Sequence, residues 1–155
     1  MSEENQPTKL PSWIAEHVKL YREDPEQGRL WDSTPVGGPG VLPCLLLITR
    51  GRKSGNTSTL PLIYAEYDGA FVIIASKGGA PAHPAWYLNL EAEPECGIQV
   101  ASDHYKVRAR TAQGDERETL WKTMAEIYPP YDDYQVTAGE RQIPVVVLDV
   151  LSQGM

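Results

Sequence analysis

Apolar residues recur at helical spacing near the start of the chain. They share one face of a predicted helix over residues 12–23, whose first turn Ser12 could cap, and this face consists of Trp13, Ile14, His17, Val18 and Tyr21. Asp24-Pro25 ends the predicted helix, because proline cannot continue one. An apolar face of this kind is typical of packing on a core. A helix that makes a peripheral membrane contact shows the same pattern, and that alternative stays open.

Short apolar runs separated by turn residues dominate the rest of the chain. They predict six strands, at residues 42–49, 60–67, 70–76, 96–100, 105–111 and 143–150. Asp68-Gly69 supplies a tight turn between the second and third strands, and residues 101–103 connect the fourth and fifth. We therefore expect two β-hairpins, each of them antiparallel.

Two helices are predicted among these strands. One covers residues 84–92 and tolerates proline in its first turn. The other opens at Asp115, which forms a capping-box pattern with Glu118, and Pro129-Pro130 terminates it. Most strands follow one another with no helix between them, so the regular alternation of a doubly wound parallel sheet is missing. We predict an α+β, mainly β fold, in which an antiparallel sheet or small barrel has a few helices packed outside it.

Length and composition fit one compact domain. The chain has 155 residues, of which 41% are hydrophobic and 23% are charged, as in ordinary globular proteins. A proline- and glycine-rich stretch at residues 35–40 predicts a flexible connector. We expect an N-terminal helix and linker over residues 1–40 and the compact domain over residues 41–151.

Charge, hydropathy and cysteine spacing exclude several classes of protein. A formal net charge of -7 argues against nucleic-acid binding, which usually requires a basic surface. The acidic N-terminus does not resemble a signal peptide, and no apolar run approaches the roughly 18 residues of a membrane span. We expect a cytoplasmic protein. Cys44 and Cys96 form no C-x-x-C pair and have no metal-ligand spacing to any histidine, so we expect reduced thiols and no metal site.

Positive charge is nevertheless concentrated in one loop. The stretch LLLITRGRKSGNTSTLPLIY, residues 45–64, places Arg50, Arg52 and Lys53 between two predicted strands, among glycines and hydroxyl side chains. Such a loop can hold a phosphate or a carboxylate. It is not a Walker A loop, because Leu47 occupies the position of the required first glycine. A solvated basic turn is the alternative that this loop alone leaves open.

A second stretch, ASKGGAPAHPAWYLNL at residues 75–90, combines a strand end, a glycine-rich bend and a helix start. Strand ends and helix starts project polar groups outward, so Ser76, Lys77 and Asn89 are candidates for ligand contacts. The alternative is a structural loop whose helix buries Trp86, with His83 as the helix cap.

A third stretch, IYPPYDDYQ at residues 127–135, spaces three tyrosines three positions apart. Tyr128, Tyr131 and Tyr134 around two prolines suggest a mobile aromatic lid, or core residues with satisfied hydroxyls. No G-x-S-x-G motif and no pair of carboxylates stands out, so hydrolysis is not supported. Basic loop, glycine bend and aromatic cluster together are typical of a site for a large, flat, anionic cofactor.

These stretches, in this order, resemble the deazaflavin-dependent nitroreductase family of actinobacteria, which belongs with the split β-barrel flavin and deazaflavin oxidoreductases. The resemblance covers about residues 40–150. Its motifs are Gly51-Arg52-Lys53-Ser54-Gly55, Ala75-Ser76-Lys77-Gly78-Gly79, Pro84-Ala85-Trp86-Tyr87-Leu88-Asn89-Leu90, Tyr128-Pro129 with Tyr131 and Tyr134, and Ile143-Pro144-Val145-Val146-Val147. It implies a split β-barrel of the FMN-binding type and coenzyme F420, a 5-deazaflavin whose tail carries a phosphate and several glutamates.

The resemblance also implies residue roles. Arg52, Lys53 and Lys77 would meet the anionic tail. The other residues expected to contact the cofactor are Ser54, Ser58, Thr59, Leu60, Pro61, Leu62, Ile63, Ile74, Ala75, Ser76, Ala85, Trp86, Tyr87, Leu88, Asn89 and Tyr131. Relatives commonly place an arginine where this chain has Ser58, and Arg50 is the nearby cation that would compensate.

By the same resemblance, the protein is expected to be a reductase that transfers a hydride from F420H2 to nitroaromatic, quinone or α,β-unsaturated substrates. Tyr131 would donate a proton or orient the substrate, since an unperturbed phenol has a pKa of about 10. Ser76 is the second expected catalytic residue, and Tyr128, Tyr131 and Tyr134 would shape the substrate pocket. Two alternatives stay open: an FMN-dependent oxidoreductase of the same barrel type, and a non-catalytic carrier of a cofactor or small molecule.

Overall fold

A computed structural model describes residues 12–154 of the chain. Within this range the strands are β1 (Leu30–Asp32), β2 (Val41–Arg50), β3 (Thr57–Ile63), β4 (Ala65–Tyr67), β5 (Ala70–Ile74), β6 (Glu95–Val100), β7 (Asp103–Thr111) and β8 (Val145–Gly154). The α-helices are α1 (Ser12–Glu23), α2 (Pro25–Gly28), α3 (Ala85–Ala92), α4 (Gly114–Ile127) and α5 (Pro130–Ala138). Among the described residues, no helix is both long enough and apolar enough to cross a membrane.

The strands form one antiparallel sheet with the split β-barrel fold. Their order is β1-β2-β6-β7-β8-β5-β4, and β3 pairs with β2 beside β1. Both predicted hairpins are present. The β4–β5 hairpin turns at Asp68-Gly69, and the β6–β7 hairpin turns after Ala101, whose φ is 52°. The predicted fold class is confirmed.

Strands β5 and β8 separate two hydrophobic cores. Successive side chains of a strand point to opposite faces. Phe71 and Ile73 of β5 therefore contact the barrel interior, whereas Val72 and Ile74 contact the layer that contains α4 and α5. Trp86 and Tyr87 of α3 also lie in the interior core. Consequently α3 and α5, which carry predicted site residues, are fixed by different cores.

Helix α1 covers the outer face of β2. Val18 and Tyr21 pack against Leu46, and the Tyr21 hydroxyl lies 2.9 and 3.1 Å from carbonyl oxygens of β2 and β6. The predicted helix is thus confirmed, and part of its apolar face packs on the sheet. Trp13 remains 51% exposed and stacks on Trp31, with ring centroids 6.1 Å apart. A membrane contact through this helix stays a prediction.

Residues 33–40 form a hydrogen-bonded loop rather than the predicted flexible connector. Ser33 is fully buried, and both its hydroxyl and its backbone N–H donate to the carbonyl oxygen of Gly40, at 2.6 and 2.8 Å. A Cβ built on Gly38 would lie 2.9 Å from Cε1 of Tyr128. The loop therefore packs closely against the first of the three tyrosines.

Helix α5 was not predicted. Pro129-Pro130 ends α4 as expected, but Pro129 occupies the N-cap position of α5 and Pro130 its first helical position. Proline suits that position because its missing N–H has no helical partner there. Asp132 and Asp133 lie in the first turn, where the helix dipole favours negative charge. The three tyrosines therefore lie on and beside a helix, and the mobile aromatic lid stays a prediction.

Element boundaries differ from the predictions at several places. The capping box of α4 is wrong, because the helix already begins at Gly114 and Asp115 lies inside its first turn. The predicted strand over residues 60–67 is two strands, since the chain stops pairing with β2 at Ile63 and pairs with β5 from Ala65. Pairing with β7 extends the final strand beyond its predicted end at residue 150.

Candidate functional site

The basic loop, residues 50–56, is held against α3 by one side chain. Oδ1 of Asn89 accepts hydrogen bonds from the backbone N–H of Arg52 at 3.1 Å and from its Nη1 at 3.0 Å. Because both donors face one atom, that atom must be the amide oxygen. Asn89 is 6% exposed, and its Nδ2 makes no hydrogen bond within residues 12–154. The structure thus joins the first and second predicted stretches, as expected for a shared site.

A cavity of about 450 Å³ lies between this loop and the end of α3. Its charged lining residues are three cations and one carboxylate: Arg50, Arg52, Lys53 and Glu93. The loop is closed by hydrogen bonds of 2.8 Å from Gly51 N–H to Asn56 O and from Gly55 N–H to Gly51 O. A local excess of positive charge in a chain of net charge -7 suits an anionic ligand.

The turn between β5 and α3 has an unusual backbone that packs against α5. Lys77, Gly78 and Gly79 have φ values of 48°, 61° and 84°. A Cβ built on Gly79 would lie 2.8 Å from the carbonyl oxygen of Tyr134, so only glycine fits there without a shift of one of the two backbones. This contact brings the Ser76-Lys77 stretch beside the tyrosine helix.

The three tyrosine rings form one cluster. Tyr131 packs edge-on against Tyr128 with centroids 4.9 Å apart, and Tyr134 lies 6.1 and 6.3 Å from these two rings. The hydroxyls of Tyr128 and Tyr134 bond each other at 3.0 Å. Tyr131 is 5% exposed, and no group among residues 12–154 hydrogen-bonds its hydroxyl. Burial raises the pKa of Tyr131 above its ordinary value, so this phenol stays protonated at neutral pH.

Other predicted cofactor contacts are distributed between core and surface. Trp86 and Tyr87 are buried, and the Tyr87 hydroxyl lies 2.7 Å from Oγ1 of Thr111, so these side chains fix α3 in the barrel. Ile74 and Ala75 are buried at the end of β5. Residues 58–63 are half-buried along β3, while Ala85 and Lys77 are exposed.

Arg141 is a residue that the sequence analysis missed. Its guanidinium bonds the backbone of the β5–α3 turn and lies 3.0 Å from Nδ1 of His83. His83 therefore does not cap α3, and Pro84 occupies the cap position. Burial and the charge of Arg141 lower the pKa of His83 below its ordinary value. No local signal could have identified Arg141, because its partners lie 58 to 66 positions earlier in the chain.

A second cavity, about 760 Å³, is an open groove over β6, β7 and the end of β8. It contains none of the predicted site residues. Glu95 forms ion pairs there with Lys106 at 3.4 Å and with Arg108 at 3.3 Å, which balance much of the local charge. We assign the candidate site to the smaller cavity and its surroundings, because its lining carries the predicted basic residues and Asn89, whose buried Nδ2 makes no hydrogen bond within residues 12–154.

The chain combines a split barrel, a cation-lined cavity at the end of α3, a glycine turn and an aromatic cluster, features typical of cofactor-dependent barrel oxidoreductases. Comparison with known proteins identifies the family. The family model described as F420H2-dependent quinone reductase matches residues 13–150, and the chain belongs to this family. The protein is therefore an oxidoreductase whose cofactor is reduced coenzyme F420, which replaces the FMN-enzyme and carrier alternatives.

Individual relatives agree with this assignment. The chain is 41% identical over 113 residues to a Mycobacterium tuberculosis protein named F420H2-dependent quinone reductase, covering 71% of this chain and 75% of the relative. A solved structure titled F420-H2 dependent reductase (FDR-A) shows 40% identity and a TM-score of 0.63, covering 68% of this chain and 93% of that chain. Another, with the same identity and TM-score, covers 68% and 79% and is described as a domain-swapped dimer.

Proposed function

We propose that this reductase uses F420H2 to reduce quinones, nitroaromatics and α,β-unsaturated carbonyl compounds. The coenzyme would lie along the basic loop, β3, the β5–α3 turn and α3, with the tyrosine cluster as a wall of the substrate site. A relative named quinone reductase supports the first substrate class. The observation that carries the proposal is the buried Tyr131 hydroxyl, which has no partner within residues 12–154 while its two neighbouring tyrosines satisfy each other.

The residues of the site fit the coenzyme chemically. Arg50, Arg52 and Lys53 line one cavity, and a hydrogen bond from a charged group to phosphate or carboxylate contributes about 1.5–3 kcal/mol. Exposure of these side chains places each contact toward the lower end of that range. Asn89 supplies a buried Nδ2 donor that has no acceptor within residues 12–154. The Lys77 ammonium adds positive charge on the β5–α3 turn.

When bound, the reduced deazaflavin supplies a hydride. The chain's own contribution is to orient the substrate and to hold a proton near it. Tyr131 carries this proton on its hydroxyl, and burial keeps the phenol in its neutral form. Half-buried Ser76 follows β5 and supplies a second hydroxyl on the coenzyme side of the site. The Tyr128–Tyr134 hydrogen bond holds the other two rings in place around Tyr131.

Substitution of Tyr131 by phenylalanine tests the proposal. Tyr131→Phe should lower turnover by about 10²–10⁴-fold, the usual contribution of a positioned proton donor, with coenzyme affinity nearly unchanged. Because the lost hydroxyl makes no hydrogen bond within the described chain, its removal should leave the melting temperature unchanged or raise it. The measurements are steady-state kinetics with a nitroaromatic and with a quinone, coenzyme titration, and thermal unfolding.

Tyr105→Phe is the matched control. Tyr105 lies on β7, packs against Phe71, and likewise makes no hydrogen bond through its hydroxyl within the described residues. Its replacement should change neither turnover nor affinity. Full activity of Tyr131→Phe on both substrates would eliminate the catalytic role. A raised KM alone would mean that Tyr131 only orients the substrate, and lost coenzyme affinity would reassign it to cofactor binding.

A further inference from the structure

The guanidinium of Arg141 contacts four acceptors in one short turn. Its Nε donates to Ala80 O at 2.8 Å, and its Nη2 donates to Ser76 O at 2.7 Å. Its Nη1 donates to Ala75 O at 3.1 Å and lies 3.0 Å from Nδ1 of His83. A guanidinium presents five N–H donors in a rigid plane, so one side chain can fix several carbonyl groups that face different directions.

The turn that Arg141 holds has a strained backbone. Lys77, Gly78 and Gly79 all have positive φ, and Lys77 is not a glycine, so its left-handed backbone is disfavoured. Within this turn, the backbone bonds run from Gly79 N–H to Ser76 O at 2.9 Å and from Ala80 N–H to Lys77 O at 3.1 Å. Strained backbone of this kind persists where the surrounding structure over-determines it. The hydrogen bonds from Arg141 to Ala75, Ser76 and Ala80 hold the turn in this conformation.

Arg141 is itself fixed to helix α5. Gln135 donates from Nε2 to the carbonyl oxygen of Arg141 at 2.8 Å, and its Oε1 accepts from Ile143 N–H at 2.9 Å. Gln135 follows Tyr134 directly, and Tyr134 contacts Gly79 of the turn. The side chains of Arg141 and Gln135 together thus connect the turn that carries Ser76 and Lys77 to the helix that carries the tyrosine cluster.

We propose that Arg141 is a positioning residue that sets the distance between the coenzyme part and the substrate part of the site. This inference rests on the proposed coenzyme site. Arg141 does not touch substrate or coenzyme in this role. It acts by holding Ser76 and Lys77 in the one backbone conformation that faces α5.

His83 makes this arrangement sensitive to pH. Nδ1 of His83 must be unprotonated to accept from Arg141, and the groups that face the ring are Arg141, Glu91 and Tyr87, whose ring centroid is 4.9 Å away. Burial first, and then the positive charge of Arg141, lowers the pKa of His83. Protonation at low pH replaces the hydrogen bond by a contact between two cations, which loosens the turn.

The test compares Arg141→Met with Arg117→Met. Arg117 is also half-buried and donates to a nearby backbone carbonyl, Ile143 O, at 2.8 Å, but it contacts no part of the turn. Arg141→Met should raise the Kd for oxidised F420 by about 10- to 100-fold and lower kcat, as misplacement of positioning groups does. Arg117→Met should leave the Kd unchanged. Arg141→Lys, which keeps the charge but offers one donor group, should rescue little of the loss.

A pH series separates positioning from a general loss of stability. The Kd of the natural chain should rise as the pH falls from about 8 to about 5, through the range in which histidine titrates. His83→Asn should bind at neutral pH and lose this rise, because its Oδ1 can accept from Arg141 and does not titrate. This variant keeps the proposal testable even if the Arg141 variants do not fold.

Two results would refute the inference: an unchanged Kd in Arg141→Met, or an unchanged pH dependence in His83→Asn. If either occurs while Arg52→Ala and Lys77→Ala still weaken binding, the coenzyme site stands and only the positioning role fails. If Lys77→Ala binds F420 as tightly as the natural chain, the coenzyme does not contact this turn. In that case the proposed coenzyme site is wrong, and the positioning role of Arg141 falls with it.

Discussion

Replacement of Asn89 by alanine is the sharpest test of how the basic loop is prepared for the coenzyme. Asn89 is buried at the junction of the loop and α3, and its single oxygen accepts both the N–H and Nη1 of Arg52. Without it, Arg52 loses the two hydrogen bonds that Asn89 accepts, and the coenzyme must restore on binding the order that these bonds give to its side chain and backbone. Ordering a side chain costs about 0.5–1.5 kcal/mol, and ordering one residue's backbone about 1–2 kcal/mol.

Only part of the backbone freedom is regained, because the closing hydrogen bonds from Gly51 and Gly55 remain. We therefore expect Asn89→Ala to weaken F420 binding by about 1–2 kcal/mol, which is about 5- to 30-fold in Kd. Fluorescence titration measures this change. Asn56→Ala is the control, since Asn56 lies in the same loop, is exposed, and uses only backbone groups in its hydrogen bonds.

Asn89→Asp separates loop order from charge. A carboxylate still accepts both Arg52 donors, so the loop should stay in place, but one more negative charge beside the cavity should repel the anionic tail. The loss of coenzyme affinity in Asn89→Asp should therefore become smaller as salt is added. The loss in Asn89→Ala should remain at high salt, because the cost of ordering Arg52 does not depend on charge. If Asn89→Ala bound the coenzyme as tightly as the natural chain, or more tightly, Asn89 would hold Arg52 away from the ligand and the reasoning would be wrong.

Three other predictions follow from particular contacts. The double variant Arg52→Ala/Lys53→Ala should weaken coenzyme binding by about 3 kcal/mol at low salt and by less at high salt, and an equal Kd by fluorescence titration would contradict the tail assignment. Gly79→Ala should lower the free energy of unfolding by about 1–3 kcal/mol in denaturant titrations. Gly55→Ala, with positive φ but nothing within 4 Å of its Cβ, should cost less. Folding lowers the pKa of His83, so the stability that neutral His83 contributes should be complete above the unfolded pKa of 6.5 and should decline as the pH falls. In denaturation curves measured at several pH values, His83→Asn should reduce that decline.

Much of the fold follows from local sequence signals. Asp68-Gly69 and Ala101 mark the two hairpins because positive φ in a tight turn is a local requirement. No local signal indicates which strands pair with β2. It pairs with β1, β3 and β6, and this choice depends on the topology of the whole sheet. Helix α5 has a local signal too. Tyr128, Tyr131 and Tyr134 recur every three residues, a helical spacing, and Pro129-Pro130 can open a helix as well as end one.

The candidate site was only partly predictable for the same reason. The motifs identified the basic loop, the glycine turn and the tyrosines, which are contiguous in sequence. The contacts that join them are not contiguous: Arg52 and Asn89 are 37 positions apart, and Arg141 and Ala75 are 66 apart. Whether a polar side chain finds a partner on folding is a property of the packed chain. The spacing of Tyr131 therefore could not show that its hydroxyl makes no hydrogen bond among residues 12–154.

The two halves of the site are stabilised differently, and this decides how substitutions should act. The basic loop consists largely of exposed residues and is held to the barrel by the Asn89 side chain, so changes there should alter coenzyme affinity with little change in global stability. The β5–α3 turn and α5 are packed into a core and joined by Gly79 and Arg141, so most changes there should alter affinity, turnover and stability together. Tyr131→Phe is the exception that tests this division, because it removes from the packed half a group that makes no hydrogen bond within residues 12–154. A loss of turnover in that variant, with stability and coenzyme affinity unchanged, would come from the action of the hydroxyl on the substrate and not from lost packing.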